Sequence, residues 1–152
     1  MARKVYAVLA LAVGVPTLAA GTLFSLTALA LGGATALGVD SSGAVAMLSA
    51  GVGGLAGLVS WTFLSLRYWH EGGSGLRRAR PIAWLGLAAG CAAAGWYVVT
   101  AWPDYAKYAG EGYAVLWWTA VLPFGPALIP LACYLAAAAI WPARRTAMPA
   151  TG

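Results

Sequence analysis

Charge is what this chain has least of. Only four of its 152 residues are acidic, and charged residues of both signs make up 9% of the sequence. A soluble domain typically carries ~25% charged residues to coat its surface, so a freely soluble globule is excluded. Histidine occurs once, as His70, and cysteine twice, as Cys91 and Cys133. A single histidine next to Glu71, with no second histidine to follow, is not a zinc motif. No Cys-x-x-Cys is present for disulfide exchange, and both cysteines read as small packing residues. No catalytic, cofactor-binding or metal-binding residue is expected.

The position of the missing charges matters more than their number. The sequence predicts four apolar spans, at 5–31, 44–66, 82–102 and 113–141, and none contains Asp, Glu, Lys, Arg or His. Ion-coupled transporters, proton relays and voltage sensors keep ionisable groups inside the bilayer because they bind or move charge there. Those classes are disfavoured on that ground.

What the chain has in abundance is hydrophobic residues, 62% of the total. Each span reaches the ~20 residues that cross a ~30 Å hydrocarbon core as a helix. Lipid offers backbone groups no partner, and no short alternating segments suggest a barrel, so helix is the expected form. The expected fold is therefore all-α: one integral membrane domain, a bundle of four transmembrane helices over 1–145, with a disordered tail at 146–152.

The charges that do occur are sorted. Arg3 and Lys4 precede the first span, Arg67, Arg77, Arg78 and Arg80 fill the second gap, and Arg144 and Arg145 follow the last. Of nine Lys and Arg, only Lys107 falls on the other side, near Asp104 and Glu111, with Asp40 in the first gap. Basic segments stay cytoplasmic, so both termini are expected inside and the segments 32–43 and 103–112 outside. Aromatic residues form two belts at matching levels. Tyr6, Trp61, Tyr68, Trp69, Trp84 and Trp141 fall near the inner ends, and Trp102, Tyr105, Tyr108, Tyr113, Trp117 and Trp118 near the second outer segment. The formal charge of +5 serves topology and anionic headgroups rather than nucleic acid, for which no extramembrane domain exists.

Three local features remain. Arg3-Lys4, an apolar run and Ala19-Ala20-Gly21 have the outline of a secretory signal, but the run continues to Leu31, about twice the usual length. An uncleaved first helix is expected. Gly72-Gly73-Ser74-Gly75 fits the Gly-x-Ser-Gly pattern of intramembrane serine proteases, yet it stands between basic residues and reads as a flexible connector. Asp104 to Glu111 is expected as a short interfacial helix with Tyr105 and Tyr108 on one face.

Small residues are the clearest positive signal. Gly53-x-x-x-Gly57 is flanked by Ala46, Ala50 and Gly54, and Gly86-x-x-x-Gly90-x-x-x-Ala94 follows in the third span. Such spacing lets helix backbones approach closely in lipid, either within the chain or against another one. In the fourth span, Pro123, Pro126 and Pro130 would free the carbonyls of Thr119, Leu122 and Pro126. With Gly125 they mark a kinked or broken helix, a hinge or a pathway. Trp102, Tyr105, Tyr108, Trp117 and Trp118 are candidates for an external contact.

The expected function is non-enzymatic. The sequence reads as a small polytopic protein of a bacterial inner (plasma) membrane that acts through helix–helix association. It would be an accessory, assembly or immunity-like regulatory subunit whose partner is another membrane protein or a second copy. The alternative is an oligomeric channel or passive small-molecule transporter with its pathway at Pro123–Pro130.

Overall fold

The computed structural model describes residues 2–37, 41–110 and 127–141. All regular structure among them is helical. The first helix is one rod in three parts: α1 (Ala2–Leu9), a π-helical turn (Ala10–Gly14) and α2 (Val15–Ala36). Pro16 explains the turn. Its ring has no N–H and would strike the carbonyl four residues back in a regular helix. Widening the preceding turn removes that clash, and the Val15 N–H bonds to the Ala10 carbonyl instead. The Thr17 hydroxyl donates to the Val13 carbonyl at 2.7 Å.

Helix α3 (Ser41–Glu71) returns antiparallel and is the central element. Gly51, Gly54, Leu58, Trp61 and Ser65 meet the first rod, while Gly53, Gly57 and Ser60 meet α5 (Pro81–Gly110). These two rows repeat every three or four residues, the spacing that puts side chains on one helix face. The short α4 (Gly73–Arg77) links α3 to α5, and α6 (Leu128–Ile140) packs against α4 near the ends of α1 and α3. Three helices are long and apolar enough to cross a membrane: Lys4–Ala36, Gly43–Glu71 and Pro81–Thr100.

The distribution of side chains is inverted relative to a water-soluble protein. Val8, Leu23, Val59, Leu85 and Val99 each expose between 65% and 69% of their surface, whereas Thr17 and Ser25 are 2% exposed. Water would penalise such a continuous apolar exterior. Hydrocarbon does not.

Several boundaries differ from the sequence reading. The first outer segment was expected from Gly32, but α2 continues to Ala36 and α3 starts at Ser41. Gly32 lies in the helix at a contact point, where a Cβ would crowd the Leu48 side chain and the Ala44 carbonyl. Likewise α5 runs through Pro103 to Gly110, where a break and a separate interfacial helix were expected.

The expected flexible connector is structured. Gly72 turns the chain with φ 69°, a conformation that favours glycine, and its N–H bonds to the Tyr68 carbonyl at 2.8 Å. Leu76 is completely buried, and Gly73 sits where a Cβ would meet the Ala138 carbonyl of α6. Pro81 then opens α5, at a helix start where a missing N–H removes no helical bond. Of the expected fourth span, the described part is α6, with Pro130 in its first turn, where proline fits without breaking a helix.

Aromatic rings tie the basic end together. Tyr6 stacks on Tyr134 at 5.2 Å between centroids, and Tyr68 meets both edge-on at 5.1 and 5.8 Å. The Tyr6 hydroxyl shares a hydrogen bond with Ser65 at 2.6 Å, and the Tyr68 and Tyr134 hydroxyls share one at 2.9 Å. The buried Trp61 indole N–H lies near the Tyr6 hydroxyl, short of hydrogen-bond geometry. Tyr6→Phe keeps the ring contacts and removes the bond to Ser65. We expect it to lower unfolding free energy by about 1 kcal/mol, read from a detergent-denaturation curve followed by circular dichroism.

Candidate functional site

Two concavities flank α3. The first is a groove on the outer side of α3 and α5, about 540 Å³ in volume, lined by Ala46, Ser49, Ala50 and Gly53 and by Ala89, Ala92, Ala93 and Trp96. Its walls are methyl groups and backbone because nearly every lining residue is small. Ser49 keeps its hydroxyl on its own helix, donating to the Ala46 carbonyl at 3.1 Å as well as to that of Val45. Trp96 stands at the edge of the groove, 59% exposed.

Behind the groove runs the seam between α3 and α5. A Cβ on Gly57 would overlap the Gly90 Cα, and one on Gly90 would overlap the Gly57 Cα. Gly53 faces the Ala89 carbonyl and the Ala93 Cβ, and Gly86 faces Ser60 and the Ala56 carbonyl. The structure thus brings Gly53, Gly57, Gly86 and Gly90 together inside the chain. Ala94 lies one turn further along, buried at the wall of the second concavity.

That second concavity is a half-open pocket of about 50 Å³ between α2, α3 and α5, bounded by the first turn of α6. Gly21, Phe24 and Ser25 come from α2, Gly54, Leu58 and Trp61 from α3, Cys91 and Tyr97 from α5, and Leu128 and Ile129 from α6. Phe24 and Tyr97 meet edge-on at 4.8 Å and link α2 to α5. Its lining is almost wholly carbon, with few polar atoms.

The other sequence-predicted residues are scattered or lie beyond these sites. Trp102, Tyr105 and Tyr108 belong to the last turns of α5. Thr119, Leu122, Pro123, Gly125, Pro126, Trp117 and Trp118 lie outside the described residues, as does the tail at 146–152. Cys91 and Cys133 are free thiols. Among the described residues, no three His, Cys, Asp or Glu side chains converge on one point. Ser74 donates its hydroxyl to the Glu71 carbonyl at 2.8 Å, and Glu71 pairs with Arg67 at 3.5 Å.

Sequence reasoning missed Ser49, Ala89, Ala92, Ala93 and Trp96 as groove residues. The run from Ala88 to Gly95 is small at almost every position, so it favours no face. Trp96 did carry a signal, because it belongs to neither aromatic belt.

No family model, curated protein or solved structure matches this chain. The architecture alone defines its class: an all-helical chain with three helices long and apolar enough to span a membrane.

Proposed function

We propose that the chain is a multi-pass inner-membrane protein that acts without catalysis, by helix–helix association, as an accessory or regulatory subunit of a membrane complex. The carrying observation is the exposed groove on α3 and α5, whose small side chains leave room for a helix from another protein. Apolar helices gain nothing by leaving lipid for each other, so close backbone approach and dispersion drive their association. Gly57, Gly86 and Gly90 are already used within the chain, whereas the groove is a small-residue surface open to a partner.

Both termini are cytoplasmic in this reading, and α6 forms the inner part of a fourth, proline-interrupted span. Lys4, Arg67, Arg77, Arg78 and Arg80 support that orientation. They fall near the tyrosine cluster and α4, whereas Lys107 is at the far end of α5.

Isolation from native membranes in a mild detergent, with mass spectrometry of what accompanies the chain, tests the proposal. A stoichiometric second membrane protein is expected. Ala92→Leu, which fills the groove from an exposed position, should reduce its recovery at least about tenfold, while folding stability shifts by no more than ~0.5 kcal/mol. A pure homo-oligomer that conducts ions in liposomes would overturn the proposal in favour of a channel.

A further inference from the structure

The pocket is lined by a polar group that has no hydrogen-bond partner among the described residues. Thr17, Thr22, Thr27 and Thr35 of α2 all turn their hydroxyls back onto carbonyls of their own helix. Ser25, on the same helix and 2% exposed, makes no such bond, and none to another described residue. Its Oγ lies over Gly54 at the cavity wall, where a Cβ on Gly54 would strike it. A buried hydroxyl without a partner is costly in a medium that offers none.

We propose that this cavity binds the carbonyl-bearing end of an apolar, membrane-soluble molecule, with the Ser25 hydroxyl donating to that carbonyl. Three alternatives fit less well. A water molecule needs two to four polar partners, and this lining is almost wholly carbon. A plain hydrocarbon leaves the hydroxyl unsatisfied. An ordinary phospholipid carries its ester carbonyls at the headgroup border. By the helical rise, Gly54 lies ~16 Å from the level of Ser65, about halfway through a ~30 Å core.

Volume limits what enters. A cavity of ~150 Å³ holds benzene, so about 50 Å³ admits an end group of a few atoms, such as an acetyl. The remainder of the molecule lies between α2 and α5, which the Phe24–Tyr97 pair bridges. Among the described residues no cation lines the cavity, so a carboxylate is disfavoured against a neutral carbonyl. The inference is independent of the outer groove.

Photolabelling of the purified full chain in lipid nanodiscs tests it. The probe is a long-chain methyl ketone with a diazirine on its alkyl tail, compared with a diazirine hydrocarbon of equal length. The ketone should label peptides containing Phe24 and Tyr97 saturably, and excess methyl nonyl ketone, but not undecane, should displace it. Ser25→Ala should cut labelling about fivefold, the worth of one neutral hydrogen bond. Cys91→Leu, which fills the cavity and spares Ser25, should abolish it. Equal labelling by ketone and hydrocarbon overturns the proposal, as does labelling that neither substitution changes in protein eluting like wild type.

Discussion

Replacing Gly57 with alanine is expected to force α3 and α5 apart and lower the unfolding free energy by about 3 kcal/mol, the upper end of overpacking penalties. The reason is what the new methyl group would meet. At Gly21 or Gly54 a Cβ would meet only a side chain, which can shift. At Gly57 it would overlap the Gly90 Cα, and backbone has no rotamer to offer. Both helices would have to move, loosening the contacts of Gly53 and Gly86 along the same seam.

Gly33→Ala and Gly95→Ala serve as controls. Nothing lies within 4 Å of a Cβ at either position, so both should gain ~0.5–1 kcal/mol from improved helix propensity. Denaturation in mixed detergent micelles, followed by circular dichroism, separates the three variants. If Gly57→Ala behaves like Gly95→Ala, the close approach of α3 and α5 is wrong.

The second large effect lies where the sequence suggests none. Leu76→Ala is expected to cost about 3 kcal/mol, within the ~2–5 kcal/mol range for truncating a buried leucine. Leu76 stands between the glycine-rich segment Gly72–Gly75 and three arginines, yet it is completely buried in the same core as Leu64 and Leu135. α4 acts as a plug that closes the basic end of the helices and locks the α3–α5 turn. In a loose linker the same substitution would change stability by no more than ~0.5 kcal/mol. The same denaturation assay decides between the two.

Leu76 also shows why some of the architecture was legible in the sequence and some was not. The three long helices follow from composition and from where charge is absent, properties summed over many residues. Their ends depend on single contacts. Gly32 and Gly33 read as a break, yet Gly32 is helical and packs against Leu48 and the Ala44 carbonyl across the interface. Glu71 to Gly75 has the composition of a linker, because one turn of helix anchored by one leucine leaves no periodicity to detect. The π-helical turn precedes Pro16, whose ring cannot sit in a regular helix interior, and the sequence reading did not anticipate it.

The sites divide in the same way. The four-residue spacing of Gly53 with Gly57 and of Gly86 with Gly90 is visible in the chain, and in the fold these residues lie between α3 and α5. The groove beside them was hidden, since an alanine-rich run marks every face of a helix alike. The orientation of the Ser25 hydroxyl has no sequence signature at all. It depends on the gap that Gly54 leaves opposite it.

The most direct test of the central claim is photo-crosslinking in living cells from single positions on the helix surfaces. A photoreactive residue at Ala92, inside the groove, should give one discrete adduct with a second membrane protein. The same residue at Leu23, which is 67% exposed elsewhere on the surface, should give none. No adduct at position 92, or equal adducts at both positions, would contradict the account.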